Sequence, residues 1–161
     1  MLLTSFIFGT LAAFFAIILE IVTLDLSHLS DYSSLTLAFS SLVLLMAVAL
    51  IEEGSKYLFL RQYLLRYFAA VPLTPRQALS LGLGFGVGFS AIEAAFIISR
   101  KTGTNDLLWL SGIFLVHIAA ALIFVFFLKH PEKRNFSAFF LPLFLTVLIH
   151  FLYDTILSMA F

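Results

Sequence analysis

Long apolar stretches dominate this sequence, and short polar segments separate them. A helix that crosses a membrane needs about 20 mostly apolar residues. Stretches of this kind occupy about residues 2–24, 35–55, 78–99, 107–128 and 136–161, and the second can continue toward residue 68. The pattern therefore predicts an all-α fold, a polytopic membrane helix bundle with about five transmembrane helices.

Composition supports a membrane bundle and excludes several other classes of protein. Apolar residues make up 62% of the 161 residues and charged residues 11%, whereas soluble domains have about 45–50% and about 25%. The nine basic and nine acidic residues cancel, so the chain has no basic face for a nucleic-acid partner. Because the chain has no cysteine, thiolate metal sites and cysteine nucleophiles are excluded. No stretch is left for a separate soluble domain, and we expect a single transmembrane domain over residues 1–161.

The distribution of basic residues predicts the orientation. Those that fall between spans two and three, or between spans four and five, are Lys56, Arg61, Arg66, Arg76, Lys129, Lys133 and Arg134. Only Arg100 and Lys101 fall on the other side. Cytoplasmic loops carry the excess of Lys and Arg. We therefore expect a multi-pass protein of the cytoplasmic (plasma) membrane, with its N-terminus in the cytoplasm and its C-terminus outside.

Several ionisable residues lie in or beside the predicted spans, where they are costly and by default indicate function. They are Glu52, Glu53, Lys56, Glu93, His117, His150 and Asp154. They come from four different predicted helices, so a bundle can bring them together in its interior, away from lipid. Glu20 is interpreted as structural instead, because it lies close to the outer end of the first span, where it can reach water.

The second span ends in a carboxylate doublet, Glu52 and Glu53, which Lys56 follows. Adjacent helical residues point about 100° apart, so the two carboxylates cannot share one direction. Glu52 and Lys56 have the i,i+4 spacing of a favourable ion pair. A helix end that snorkels at the cytoplasmic surface is the alternative. The doublet in an otherwise uncharged helix favours a functional role.

The third span carries glycines four residues apart, at Gly82 and Gly86 and at Gly84 and Gly88. Small residues at this spacing allow helix backbones to approach closely in lipid. They do not form a phosphate-binding loop, because the Lys-Ser/Thr of that motif and the preceding strand are missing. We therefore predict a packing role for the glycines. Glu93 lies further along this helix, where a carboxylate needs either protonation or partners.

Histidines occupy the last two spans. His117 lies in the middle of the fourth span, and alone it is equally well explained as a hydrogen-bonding link between helices. His150 and Asp154 are four residues apart and therefore share one helix face. A carboxylate commonly orients a functional histidine. We favour function for this pair, because an apolar core would be a less costly way to pack the helices.

Taken in order, these residues resemble the PrsW family, which belongs to the larger superfamily of CAAX-processing and bacteriocin-processing intramembrane proteases. The family pattern is Glu-Glu-x-x-Lys, then Phe-x-x-x-Glu after a glycine-rich run, then a His, then His-x-x-x-Asp/Asn. Its counterparts here are Glu52-Glu53-Gly-Ser-Lys56, Phe89-Ser-Ala-Ile-Glu93, His117 and His150-Phe-Leu-Tyr-Asp154. The resemblance implies a catalytic four-helix core over residues 35–161, preceded by a first span and an outer loop over residues 1–34.

The resemblance also implies an activity, the hydrolysis of a peptide bond in a membrane-embedded or juxtamembrane substrate such as an anti-sigma factor. Glu52 or Glu53 would deprotonate a water that is held among Glu93, His117 and His150. A histidine would stabilise the developing oxyanion. Asp154 would orient His150 or hold the water, and Lys56 would pair with one carboxylate of the doublet.

The same groups offer a second chemistry, since two histidines and one glutamate form a known catalytic zinc set. The ligands of such a divalent metal would come from Glu53, Glu93, His117 and His150. The polar set is rich in carboxylates for a neutral zinc site, and for this reason we favour a metal-free enzyme at this point.

Two other functions use the same residues. A non-catalytic membrane scaffold of the same superfamily is one, although the presence of Glu52, Glu53 and Glu93 disfavours it. A small proton-linked transporter is the other, because intramembrane Glu, His and Asp also serve as proton relays. Inverted repeats would favour a transporter, and the sequence shows none.

Overall fold

Five helices make up the bundle in the computed structural model, which describes residues 1–25, 34–100, 106–134 and 139–160. The helices are α1 (Leu2–Asp25), α2 (Ser34–Phe68), α3 (Pro75–Arg100), α4 (Asp106–Leu128) and α5 (Phe140–Ala160), with a short 3-10 turn at Pro131–Lys133. The described ranges contain no strand, and the all-α prediction is confirmed. The predicted ends of the fifth span, at residues 136 and 161, lie outside the described residues.

Within the described ranges, four stretches are long and apolar enough to cross a membrane, namely Leu2–Thr23, Pro75–Ser99, Leu110–Leu128 and Phe140–Leu157. The described part of α2 is more charged, since it holds Glu52, Glu53, Lys56, Arg61 and Arg66. With 35 residues, α2 is about 52 Å long, well over the hydrocarbon thickness of about 30 Å. These helices form the polytopic membrane bundle that the sequence predicts.

The length of α2 changes the interpretation of Lys56. The shorter version of the predicted second span ends near residue 55, which would place Lys56 in a connecting loop. The helix instead continues to Phe68, and the Lys56 side chain is completely buried in the bundle. Glu52 thus lies near the middle of its helix rather than at its end.

Glycines on two faces of α3 allow close packing on both sides. Gly84 and Gly88 face the backbone of α1, where a Cβ would collide with main-chain atoms of Leu2 and Phe6. On the other side, a Cβ at Gly86 would lie only 2.6 Å from the Cα of Ile118 in α4. The predicted packing role of these glycines is confirmed, and it fixes how closely α4 approaches α3.

Arg134 links the C-terminal ends of α2 and α4. Its guanidinium is buried and donates hydrogen bonds to the carbonyl oxygens of Leu128, Lys129, Phe68 and Val71. Burial lowers the pKa of this guanidinium, yet an arginine remains charged at neutral pH. The partial negative charge of two helix C-termini stabilises such a cation. Arg134, which the sequence places between spans four and five, is therefore buried and connects the ends of α2 and α4 by hydrogen bonds.

Candidate active site

Side chains from α2, α3, α4 and α5 meet in the interior of the bundle. The predicted residues that are buried there are Glu52, Glu53, Lys56, His117 and His150. The side chains of Glu93 and Asp154 are each 19% exposed and lie beside them. The rings of His117 and His150 stand edge to face with their centroids 5.1 Å apart. Every residue that the sequence singled out for the site therefore lies in one cluster.

Glu53 is enclosed by two partners. Its Oε1 atom lies 2.5 Å from Lys56 Nζ and accepts a hydrogen bond of 2.8 Å from His150 Nδ1. The Glu53 side chain has no exposed surface. A hydrogen bond at Nδ1 fixes the tautomer of a neutral histidine. His150 therefore presents the lone pair of its Nε2 atom on the opposite side of the ring.

Lys56 also reaches the second histidine. Its ammonium group has only donors, so it donates to Nδ1 of His117 over 2.7 Å. The proton of the neutral His117 ring is then on Nε2, which contacts Glu93 Oε2. Lys56 Nζ also lies 4.2 Å from the centroid of the Phe89 ring. One buried cation thus connects the carboxylate doublet in α2 with the histidine in α4.

Glu52 points away from the enclosed Glu53 and toward both histidines. Its Oε2 atom lies 3.7 Å from His150 Nε2 and 3.9 Å from His117 Nε2. This oxygen is buried and has no hydrogen-bond partner within the described ranges. A buried carboxylate oxygen without a partner is costly. Glu53 Oε2 likewise lacks a hydrogen-bond partner in the described residues, and Lys56 Nζ also lies 3.7 Å from Glu52 Oε2. Glu52 differs from Glu53 because it lines the cavity described below, where its oxygen can meet a ligand.

A cavity of about 250 Å³ lies on the open side of this cluster. Its polar wall consists of Glu20, Glu52, Glu93, His150 and Asp154. The rest of the lining is largely aliphatic and aromatic and comes from all five helices. A cavity that combines an apolar wall with a few convergent polar groups is typical of a binding site.

Glu20 is the lining residue that the sequence interpretation missed. It was interpreted as a structural residue near water, whereas the structure places it in the wall of the cavity. Ala13, Ala16 and Ile17 line the cavity with it, and residues with the spacing i, i+3, i+4 and i+7 share one helix face. The sequence does contain a signal for this position, because a helix face with two alanines and an isoleucine ends in a carboxylate.

A comparison with known protein families matches residues 1–161 to the PrsW family, described as PrsW family intramembrane metalloprotease. The chain belongs to the PrsW family of intramembrane proteases. The resemblance drawn from the motifs is confirmed, and the PrsW match includes α1 as well as the four helices that carry the motifs. No curated protein and no solved structure is significantly similar to this chain.

Membership of the PrsW family implies a metal, and the residues of the cluster fit one. Glu52, His117 and His150 each offer a ligand atom, and these atoms lie within 4.8 Å of one another. The unpartnered oxygen of Glu52 is the orphaned acceptor that a cation would satisfy. The sequence interpretation chose Glu53 and Glu93 as the carboxylate ligands. The structure instead groups Glu52 with the two histidines.

Proposed function

We propose that the chain hydrolyses a peptide bond of a membrane-embedded or juxtamembrane protein at the cavity beside Glu52, His117 and His150. The convergence of these three side chains, from α2, α4 and α5, is the observation that carries the proposal. Glu52 and His150 line a partly apolar cavity inside a membrane bundle of a protease family. His117 lies behind them, with its Nε2 atom 3.9 Å from Glu52 Oε2. We further propose that residues 1–161 act as a single domain.

The proposed site holds a divalent metal such as zinc, with Glu52, His117 and His150 as its ligands. When bound, such a metal lowers the pKa of a coordinated water and polarises the carbonyl group that is cleaved. The preference for a metal-free enzyme came from the large number of carboxylates in the sequence motifs. Lys56 pairs with Glu53 and compensates the charge on that carboxylate, and a divalent metal would compensate the charge on Glu52, so the excess of carboxylates is smaller than the motifs indicate.

Residues around the three ligands hold and move protons. Glu53 keeps the proton of His150 on Nδ1, so that Nε2 is left as a donor atom for the metal. Glu93 contacts Nε2 of His117 and lines the cavity. If His117 held the metal through Nε2, its single ring proton would lie on Nδ1, Lys56 would no longer donate to that atom, and Glu93 would remain an ionised carboxylate. In catalysis Glu93 accepts a proton from the attacking water and passes it to the leaving amine.

Asp154 has a separate role in this proposal. Its Oδ2 atom lies 3.5 Å from Nε2 of His150, and it lines the cavity. A carboxylate in this place accepts a hydrogen bond from an N–H group of the substrate or from water. It therefore positions the reacting amide rather than exchanging a proton with it.

Hydrolysis by the purified protein in liposomes tests the proposal. The probe is a library of apolar peptides that carry a fluorophore and a quencher at their ends. The wild-type protein is expected to cleave members of this library and to lose activity after incubation with a zinc chelator. Glu52→Gln should lower kcat/KM at least about 100-fold, whereas Glu132→Gln, on an exposed side chain far from the cavity, should not change it.

Two results would contradict the proposal. One is a Glu52→Gln protein that cleaves the peptides at the wild-type rate. The other is a folded wild-type protein, supplied with zinc, that cleaves no member of the library.

A further inference from the structure

The inner face of α1 forms one wall of the cavity. Ala13 and Ala16 are each only 1% exposed, and they line the cavity together with Ile17 and Glu20. The first three side chains are small or apolar. Among the described side chains of α1, Glu20 is thus the ionisable group that lines the substrate space, and it lies outside the four motifs of the family.

Glu20 has an unsatisfied acceptor in this wall. Its Oε1 atom is buried and has no hydrogen-bond partner among the residues that the structure describes. The Glu52 side chain lies beside it, within reach of a hydrogen bond between the two carboxyl groups. Glu52 is 7% exposed, and its Oε2 is likewise buried without a hydrogen-bond partner in the described part of the chain. Buried acceptors without donors are costly in an apolar helix. They indicate that a ligand supplies the missing donors.

The charges around the cavity indicate the sign of that ligand. Three glutamates and one aspartate line it, together with His150, and the lining contains no lysine or arginine among the residues that the structure describes. The nearby Lys56 already bonds to Glu53 and His117. Glu20 also lies outside the group of donor atoms formed by Glu52, His117 and His150. Within the described residues, no cationic side chain donates a hydrogen bond to Glu20 Oε1.

We propose that Glu20 determines specificity by pairing with a lysine or arginine side chain of the substrate, an inference that rests on the proposed peptidase function. The substrate class is an apolar segment with one basic residue close to the bond that is cleaved. Leu45, Val48 and Ile97 in the wall suit the aliphatic stem of such a side chain. The volume of about 250 Å³ lies below that of pockets for drug-sized ligands, about 300–1,000 Å³, and is of the order needed for side chains.

Peptide binding tests this inference separately from hydrolysis. The probes are three labelled apolar peptides that differ at one central position, which holds lysine, norleucine or glutamate. Their central amide nitrogens are methylated so that the bonds are not cleaved. Fluorescence anisotropy gives the Kd of each peptide for the wild-type protein, for Glu20→Gln and for the matched control Glu132→Gln. The same three peptides without methylation are tested for cleavage in parallel.

The expected result is a Kd for the lysine peptide at least about tenfold lower than for the norleucine peptide, since hydrogen bonds to charged groups contribute about that much. Glu20→Gln should remove this difference and leave the Kd of the norleucine peptide unchanged, which also shows that the variant is folded. Glu132→Gln should keep the difference. Zinc content should be the same in all three proteins.

Equal affinity of the wild-type protein for the lysine and norleucine peptides would overturn the inference. A lysine preference that survives in Glu20→Gln would overturn it as well, because another group would then recognise the charge. A lysine preference that depends on Glu20, without cleavage of any unmethylated peptide, would confirm the binding site and count against the proposed peptidase function alone.

Discussion

Glu52 and Glu53 are neighbours in the sequence but have different surroundings, because adjacent side chains on a helix point about 100° apart. Glu53 lies between Lys56 and His150 with no exposed surface. Glu52 faces the cavity with an oxygen that lacks a hydrogen-bond partner within the described ranges. The same rotation of α2 thus makes one carboxylate a support for a histidine and the other a ligand in the proposed site.

The buried pair of Glu53 and Lys56 leads to a prediction about stability. Glu53→Gln removes the nearer of the two carboxylates that face the buried Lys56 ammonium and leaves Glu52 at 3.7 Å, so it should destabilise the protein by about 3 kcal/mol. The double variant Glu53→Gln/Lys56→Met removes both charges and should recover part of that loss. Unfolding in mixed detergent micelles measures the difference. A double variant that is less stable than Glu53→Gln would contradict this account of the pair.

At the level of single residues, the sequence identified the participants but not their partners. The motifs from Glu52 to Asp154 named the acidic and histidine members of the site except Glu20, and they left Tyr153 of the cavity wall unassigned. They did not decide which carboxylate of the doublet faces the histidines, since that depends on the rotation of α2 in the bundle. Glu20 was missed for the same reason, because only the packing of α1 turns its small-residue face toward the site.

The close approach of α3 and α4 positions His117, and Gly86 makes this approach possible. A Cβ at Gly86 would lie 2.6 Å from Ile118 Cα and 3.0 Å from the His117 carbonyl oxygen, whereas a Cβ at Gly54 meets nothing within 4 Å. These two glycines therefore provide a matched pair of substitutions.

Gly86→Ala should displace α4, lower stability by about 1–3 kcal/mol and reduce peptide cleavage. Gly54→Ala should leave stability unchanged or raise it by up to about 1 kcal/mol, because alanine is the better helix former. Thermal unfolding and cleavage rates of both variants provide the comparison. Equal behaviour of the two variants would show that the spacing of α3 and α4 does not control the site.

The hydrogen bonds of Arg134 to the ends of α2 and α4 lead to a second prediction about the packing of the helices. Its planar fork donates to carbonyls at the ends of two helices, including Leu128 at 2.9 Å and Val71 at 3.1 Å. Lysine retains the charge but cannot reproduce the fork. Arg134→Lys should therefore destabilise the bundle by about 1–3 kcal/mol.

The exposed neighbour Lys133 offers the reverse exchange as a control. Lys133→Arg should leave the midpoint of thermal unfolding within about 1 °C, in line with the small effect of most surface substitutions. If Arg134→Lys unfolds at the same temperature as Lys133→Arg, the hydrogen bonds of Arg134 do not hold the helix ends together.

The element boundaries were predictable where hydrophobicity alone decides them. Apolar length located α1, α3, α4 and α5 to within a few residues. The extent of α2 was ambiguous because Lys56, Arg61 and Arg66 interrupt its apolar run. Lys56 finds its partners inside the bundle, and partners of this kind cannot be recognised from a hydropathy pattern.

For the whole molecule, we propose that the N-terminus lies in the cytoplasm. Arg66, Arg76 and Lys129 lie near the end of the bundle where α2 and α4 end and α3 begins. Lys and Arg accumulate on the cytoplasmic side. The cavity includes Glu20 and Leu157, near the C-terminal ends of α1 and α5, so it belongs to the opposite half.

A topology reporter checks this orientation. Alkaline phosphatase fused after residue 161 should be active in cells, because this enzyme works only outside the cytoplasm. The same reporter inserted after Leu73, between α2 and α3, should be inactive. The reverse pattern of activities would place the basic end of the bundle outside and contradict the proposed orientation.

The order of the four motifs indicated the family, since each motif comes from a different helix and the order in the chain can be read directly. The way in which the helices assemble was less accessible. It depends on contacts between distant residues, such as Gly86 with Ile118 or Arg134 with the carbonyls of α2. The close contacts of Gly84 and Gly88 with Leu2 and Phe6 bring α1 against α3, and they explain why α1 contributes a residue to the cavity.

The proposed single reaction centre is tested most directly by a double-mutant cycle on the rate of peptide cleavage. The cycle compares the wild-type protein with Glu52→Gln, His150→Gln and the double variant in liposomes. Residues that act as one unit give strongly non-additive losses. The account predicts that the double variant is no slower than the slower single variant. Losses that multiply, or a single variant with wild-type activity, would show that Glu52 and His150 do not serve the same chemistry.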